Sequence, residues 1–145
     1  MSTEENKARV RYFLEEAHNK GNLAVVEQLF DANLVVNGHR AGSDAVRQVV
    51  TRLRTAFPDL HVTVEDQVAE GDKVSTRRTW RGTHLGELET AISRIPPSGK
   101  RVVWTGINLV RFADGKIVED WINRDDLGLL QQLGVIPLPE QKATK

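Results

Sequence analysis

The spacing of apolar residues changes once along this chain, and the change limits the folds that it can adopt. Before Pro58, apolar residues recur every three or four positions, as they do on amphipathic helices. From Leu60 onward they alternate with polar residues, which is typical of β-strands. Helices followed by an antiparallel sheet indicate the α+β class, because α/β proteins alternate the two kinds of element. We therefore predict one α+β domain over residues 1–145, with a frayed tail from about residue 138.

Capping and stop signals delimit the helices. Ser2 and Glu5 have the spacing of a capping box at the start of the first helix, and Gly21 is a stop signal at its end. Pro58 ends a later helix, because the residue before a proline is driven out of the helical region. After the first helix, further helices are predicted over residues 22–30, 44–56 and 126–133.

An Asp-Gly pair joins the last two predicted strands. After a short extended piece at residues 34–37, strands are predicted over residues 60–65, 74–84, 101–112 and 117–124. Asp114-Gly115 lies between alternating apolar residues, which is a strong signal for a tight hairpin. The last two strands are therefore expected to pair with each other.

The exact register of this hairpin decides which side chains share a face. A two-residue turn would place Trp121 and Asp125 on the face of Asn108. A three-residue loop would instead place Asp120 and Arg124 on that face. Because a shift of one residue moves every side chain to the other face, the two registers nominate different carboxylates. The sequence alone leaves both open.

The late strands have apolar residues on both faces. Val103, Ile107 and Leu109 alternate with Val102, Trp104 and Val110. An antiparallel sheet with one solvated face should be polar on that side. We therefore expect a partner subunit to cover the second face, which predicts a homodimer formed through the sheet.

Composition excludes several classes of function. Twenty basic and twenty acidic residues cancel, so no large field attracts nucleic acid or an anionic membrane. The chain has no cysteine, and its four histidines lack metal-ligand spacing. It also lacks phosphate-binding and dinucleotide motifs, so we expect neither a metal nor another cofactor. No apolar run approaches the roughly 18 residues that a membrane span needs, and the expected location is the cytoplasm.

Large aromatic residues share the strands with polar ones, a pattern typical of a pocket for a flat hydrophobic ligand. The candidate residues are Trp80, Trp104 and Trp121 as walls, with Arg78, His84, Asn108, Asp120, Arg124 and Asp125 as polar groups. A carboxylate in such a pocket would have a raised pKa and could act as a general base. Each residue also has a structural interpretation: the tryptophans could form core, Asp120 and His84 could lie on the surface, and Asp125 could cap the last helix.

Six segments make the chain resemble the SnoaL-like polyketide cyclase and ester cyclase family. They are Ala56–Leu60, Gly71–Val74, Gly82–Glu87, Pro96–Lys100, Asp114–Trp121 and Leu129–Gly134. Their order and spacing extend the resemblance from about Arg9 to Gly134. The resemblance implies the cone-shaped α+β barrel of the nuclear transport factor 2 superfamily. There a curved, mostly antiparallel sheet covered by N-terminal helices encloses a hydrophobic cavity, usually in a dimer.

The resemblance also implies a cofactor-free acid–base enzyme of aromatic polyketide biosynthesis, acting on a hydrophobic polycyclic substrate of the anthracycline type. In the cyclases a histidine and an aspartate flank the tryptophan of the fifth strand, and the aspartate is the acid/base. Here Asp120 stands at the position of the histidine and Ile122 at that of the aspartate. This change favours a related reaction, either ring closure or cofactor-independent hydroxylation.

Two hypotheses about function follow. In the first, Asp120 or Asp125 takes a proton from an acidic carbon, and Asn108, His84 or Arg78 donates hydrogen bonds to the enolate oxygen. In the second, the same scaffold is a non-catalytic module for small-molecule binding or for assembly, because a fold does not determine a function.

Overall fold

The structure is a computed structural model that describes residues 2–137, so the predicted frayed tail lies outside the described residues. Its helices are α1 (Thr3–Phe13), α2 (Val25–Leu29), α3 (Asp44–Ala56) and α4 (Asp126–Gln132). Its strands are β1 (Phe30–Val36), β2 (His39–Arg40), β3 (His61–Glu70), β4 (Lys73–Thr83), β5 (Leu88–Glu89), β6 (Arg94–Ile95), β7 (Arg101–Ala113) and β8 (Lys116–Arg124). Within residues 2–137, no helix is long and apolar enough to cross a membrane.

Six strands form one sheet in the order β2-β1-β8-β7-β4-β3, and β5 and β6 form a separate small hairpin. All neighbours in the large sheet are antiparallel except β1 and β8, which run parallel. Three of its ladders contain register shifts, and such bulges bend a sheet. Helix α1 packs on β3 and β4, and α4 packs on β7. The predicted α+β fold, with helices on a curved and mostly antiparallel sheet, is confirmed.

The predicted start of the first helix and the bounds of α3 are confirmed, whereas the predicted bounds of the second helix are wrong. The capping box is present: the Ser2 hydroxyl accepts a hydrogen bond from the Glu5 amide at 3.0 Å, and α3 has its predicted bounds. The second helix is shorter than predicted, because Phe30 is already extended and begins β1. There Phe30 packs edge-on against Phe13, with ring centroids 4.8 Å apart. Tertiary packing thus overrides the local helical pattern.

A π-helical turn at Leu14–Asn19 replaces the predicted end of the first α-helix. A π-turn holds about one residue more than an α-turn, so it rotates the residues after it relative to a regular helix. The predicted stripe is buried as expected, at Val10, Phe13, Leu14 and Ala17. His18, eight residues after Val10, lies at the next position of this stripe and is buried as well.

A β-bulge sets the register of the last hairpin. The Asp114-Gly115 turn has φ angles of 51° and 80°, as in a two-residue type I′ turn. Arg111 nevertheless lies opposite Glu119, because Val118 is an extra residue in β8 without a partner in β7. The turn is therefore the first of the two predicted forms, but the bulge moves the rest of the ladder by one residue.

The register that results was not among the two predicted. Asn108 lies opposite Ile122, whereas the predictions placed it opposite Trp121 or Asp120. Opposite residues share a face, so Asp120 and Arg124 lie on the face of Asn108 and Trp121 lies on the other. The side chains thus face as the three-residue loop predicted, for a different physical reason.

The outer face of the sheet is apolar and exposed, in agreement with the pattern of the sequence. Ile107 is 51% exposed, Trp121 is 47% exposed, and Val103 and Leu109 are exposed beside them. A shallow groove of about 610 Å³ runs across this face. Exposed apolar surface on neighbouring strands is typical of an interaction site.

Gly106 generates the first prediction, because a side chain there would strike the core. A Cβ atom at Gly106 would lie 2.7 Å from Cζ3 of Trp80. We expect Gly106→Ala to lower the free energy of unfolding by about 1–3 kcal/mol, since extra volume in a packed core forces strain. Urea unfolding measures this loss. Unchanged stability, with an unchanged circular dichroism signal from the indole pair Trp80–Trp104, would contradict the packing described.

Candidate active site

The inner face of the sheet brings together six of the predicted site residues. They are Arg78 and Trp80 on β4, Trp104 and Asn108 on β7, and Asp120 and Arg124 on β8. Gly106 lies opposite Arg78 on one side and opposite Arg124 on the other. Strands are spaced by about 4.8 Å, so the backbones of the two arginines are roughly 10 Å apart, and the Trp80 ring lies over the glycine between them.

Two stacked indoles form an apolar wall on this face. The rings of Trp80 and Trp104 lie 5.9 Å apart with an angle of 12° between their planes, and both residues are buried. Phe57 extends the wall, because its ring centroid is 5.1 Å from that of Trp104. The Trp80 indole N–H donates a hydrogen bond to Nδ1 of His18 at 3.3 Å. This bond and the stacking together hold Trp80 in one orientation.

A cleft of about 550 Å³ opens at one end of the inner face. It lies between α3, α4 and the β5–β6 hairpin, with Trp104 and Arg124 among its lining residues. Val49 and Leu53, on the apolar side of α3, face this space and are only partly buried. An apolar helix face that the protein does not fully cover leaves room for a hydrophobic molecule.

Asp120 is the carboxylate that the bulge turns inward. Its Oδ1 accepts a hydrogen bond from Nδ2 of Asn108 at 3.1 Å. Burial raises the pKa of Asp120. This shift is opposed, but not cancelled, by the charge of Arg78, the hydrogen bond from Asn108 and the charge of Arg124. The residue keeps some accessible surface although the atoms around it exclude much of the solvent. Asp120 is therefore a stronger base than an ordinary carboxylate, although it is not among the residues that line the cleft.

Arg78 is a buried cation for which the described residues provide no hydrogen-bond acceptor. Only 4% of the residue is exposed, and its Nε has no partner among residues 2–137. Burial lowers the pKa of Arg78 to about 10, so the guanidinium stays charged at neutral pH. Its Cζ lies 5.9 Å from the ring centroid of Trp80, a weak cation–π contact. No carboxylate in the described part of the chain approaches it within 4.0 Å.

His18 belongs to the same cluster but was not predicted. Its Nδ1 accepts the Trp80 hydrogen bond, so its proton is carried by Nε2. Burial, with the charges of Arg78, Arg124 and Arg54, lowers the pKa of His18 to about 3. The imidazole therefore stays neutral across the physiological range. The signal that could have found it is its spacing from Val10 and Leu14, which continues the apolar stripe of the first helix.

His84, a predicted catalytic residue, lies apart from this cluster. It is fully buried, and its Nδ1 accepts a hydrogen bond from the Ser98 amide at 3.2 Å. Burial lowers the pKa of His84, and the nearby carbonyls of Gly86 and Ile95 oppose the shift although neither accepts a well-formed bond from Nε2. His84 is not among the residues that line the cleft, and its position is that of a core residue holding the loop before β7.

Asp125 and Trp121, the other two predicted site residues, also lie outside the inner cluster. Asp125 caps α4, where its Oδ1 accepts a hydrogen bond from the Gly128 amide at 2.9 Å. Trp121 lies on the outer face and donates its indole N–H to Glu119 at 2.8 Å. Both line the outer groove rather than the cleft. Over residues 2–137, no three His, Asp or Glu side chains are grouped as metal ligands would be.

The sequence of this chain matches the profile of the SnoaL-like polyketide cyclases over residues 8–133. The chain belongs to this family. The match includes every residue of the inner cluster, and it confirms the resemblance inferred from the six segments. No curated protein is similar enough to count as a match.

Several solved structures share the fold across most of their length. TsrD from Streptomyces laurentii is 27% identical, with a TM-score of 0.83 over 94% of this chain and 99% of that one. AclR, a proposed hydroxylase from Streptomyces galilaeus, is 30% identical, with a TM-score of 0.81 over 99% and 90% of the two chains. IdmH, a proposed polyketide cyclase from Streptomyces antibioticus, is 31% identical, with a TM-score of 0.74 over 89% and 98%.

The raised pKa of Asp120 predicts a pH-dependent gain in stability for Asp120→Asn. Between the ordinary value of 3.8 and the raised value, the folded state binds more protons than the unfolded chain. Ionised Asp120 therefore lowers stability, and the loss is complete above its folded-state pKa. We expect the variant to be more stable than the parent at pH 7 and equally stable below about pH 3.8. Urea unfolding across this range measures the difference, and a variant less stable at pH 7 would show that Asp120 is not destabilised by burial.

Proposed function

We propose that this SnoaL-like protein is an acid–base enzyme that acts on a hydrophobic polyketide, with Asp120 as its general base. The observation that carries the proposal is a desolvated carboxylate on the inner face, held by Asn108 beside a buried arginine. Enzymes raise the pKa of a carboxylate in this way to make it basic near neutral pH. Membership of a polyketide cyclase family agrees with this chemistry.

In the proposed reaction, Asp120 removes a proton from a carbon next to a carbonyl group of the substrate. The electrons of that C–H bond move onto the carbonyl oxygen and form an enolate. Arg78 is placed to donate hydrogen bonds to this oxygen, and Asn108 keeps the Asp120 carboxylate oriented. Preorganised donors in a dry site stabilise a developing charge strongly. Trp104, which stacks on Trp80 and lines the cleft, supplies the aromatic surface on which a flat substrate packs.

The enolate can continue in two ways. Its carbon can attack a second carbonyl group and close a ring, and the new alkoxide then takes the proton held by Asp120. Alternatively the enolate can react with molecular oxygen to give a hydroperoxide, which a two-electron reductant such as a thiol then converts to the hydroxyl group and water. Two of the similar structures, IdmH and AclR, are a proposed cyclase and a proposed hydroxylase. We propose an aromatic polyketide of the anthracycline type as the substrate, since the paired indoles suit fused flat rings. Neither route requires a metal or a nucleotide cofactor to form the enolate.

The first test measures proton abstraction on a simple probe. 2-Tetralone is a bicyclic aromatic ketone with acidic hydrogens next to its carbonyl group, and NMR follows their exchange in deuterated water. We expect the protein to accelerate this exchange and Asp120→Asn to slow it about 10²–10⁴-fold, the typical contribution of a general base.

Asp125→Asn is the matched control for this test. Asparagine caps a helix about as well as aspartate, so this variant should keep its fold and its exchange rate. Loss of exchange in Asp125→Asn alone would move the catalytic role to Asp125. Equal exchange in both variants would contradict a catalytic carboxylate. Probe binding without any exchange would instead favour the alternative, a non-catalytic binding module.

We also propose that the exposed outer face forms a homodimer, because it presents apolar side chains on two neighbouring strands. Sedimentation at micromolar concentration should give about twice the chain mass of 16.2 kDa. Ile107→Glu should produce monomers, since a buried unpaired charge at an interface is costly. Ile92→Glu is the control, because Ile92 is exposed at the β5–β6 hairpin instead. A monomeric parent protein would contradict the proposal.

A further inference from the structure

We propose that Arg78 binds an ionised oxygen that the substrate already carries when it enters, so that the natural ligand is a hydrophobic aromatic acid. The acidic group is a carboxylate or a comparably acidic hydroxyl. This inference rests on the proposed function only for the location of the site. It adds the chemical class of the substrate, which the acid–base mechanism alone does not specify.

The first argument is the unsatisfied charge of Arg78. A buried guanidinium normally has carboxylate or carbonyl acceptors, because an unpaired buried charge is costly. Arg78 is 4% exposed, its Nε has no partner, and no hydrogen bond from its side chain is present within residues 2–137. An unsatisfied buried group of this kind requires an explanation, and an absent acceptor is the simplest one.

The second argument is the balance of charge around Arg78. Arg124 lies across Gly106 on the same face, and it lowers the pKa of Arg78 through like-charge repulsion. His18 is neutral there, so it does not change the net charge around Arg78. Asp120 is the acidic group that acts on Arg78, and its carboxylate is held by Asn108. Arg124 itself is exposed and lies 3.7 Å from the Asp126 carboxylate, so the cation that remains unsatisfied in the interior is Arg78.

The third argument is the line of aromatic rings between the cleft and Arg78. Gly106 has no side chain, and the Trp80 indole lies over it, with Cζ3 2.7 Å from the position that a Cβ atom would take. The Arg78 guanidinium lies 5.9 Å from the centre of this indole, which stacks on Trp104, a residue of the cleft lining. A flat aromatic ligand lying along the indoles would therefore carry its acidic group toward Arg78. Charge-assisted hydrogen bonds between guanidinium and carboxylate are among the strongest in proteins.

The test compares two probes of similar size and shape, 2-naphthoate and the uncharged 2-naphthalenemethanol. Binding is measured by quenching of tryptophan fluorescence, which reports on the indole wall. We expect 2-naphthoate to bind at least about tenfold more tightly, because a hydrogen bond to a charged group contributes about 1.5 kcal/mol or more. Equal affinity for the two probes, or preference for the alcohol, would overturn the proposal.

Arg78→Gln should remove this preference and leave the affinity for the alcohol within about twofold. Arg81→Gln is the matched control, because Arg81 lies on the same strand but is exposed on the outer face. It should keep the preference in full. A preference that survives Arg78→Gln, or that Arg81→Gln also abolishes, would contradict a specific role for Arg78.

A stability measurement keeps the test valid if Arg78→Gln folds poorly. Arg78→Met replaces the unsatisfied cation by an apolar chain of similar length, so its Tm should equal or exceed that of the parent protein. A clear loss of Tm would mean that Arg78 serves the fold, and the proposal would fail. Asp120→Asn separates this inference from the proposed function, since it should abolish tetralone exchange yet bind 2-naphthoate at least as tightly as the parent.

Discussion

The interior of this protein depends on one extra residue in β8. Val118 has no partner across the ladder, and beyond it every side chain of the strand faces the side opposite to the one a regular hairpin would give. With a regular ladder from the type I′ turn, Trp121 would enter the interior and Asp120 would lie outside. The bulge reverses them, so that a carboxylate meets Asn108 inside and an indole remains on the outer face. The bulge thus adds Asp120 to the inner cluster and Trp121 to the apolar outer face.

The inner cluster illustrates a conflict between stability and function. A core of the same size built from apolar residues would be more stable than one that contains Arg78, Asp120 and neutral His18. Burial raises the pKa of the aspartate and lowers those of the arginine and the histidine, so each group is held in an environment that disfavours its charge. Such shifts are typical of functional sites, where a ligand later satisfies the polar groups. The stacked indoles pack beside Arg78 and His18, and Trp104 also lines the cleft.

The sequence alone determined the class of the fold and most of its elements. Three local signals carried this information: the change of apolar period near Pro58, the capping box at Ser2 and the Asp114-Gly115 turn. Each depends only on residues that are close to it in the sequence. The alternation of apolar residues likewise predicted an outer face that would be exposed in a single chain. Six of the nine predicted site residues also share one face of the sheet, because aromatic and polar residues at alternating positions on neighbouring strands converge there.

Only the tertiary structure decided which of those residues meet. The position of a bulge depends on pairing along two whole strands, so the choice between Asp120 and Asp125 could not be made from the turn residues. The hydrogen bond between Trp80 and His18 joins residues that are far apart in the sequence, so only the folded chain shows that His18 belongs to the cluster. The missing acceptor of Arg78 is likewise a property of the packed interior. A sequence records which groups are available, whereas burial and register determine which of them remain unsatisfied and therefore able to bind.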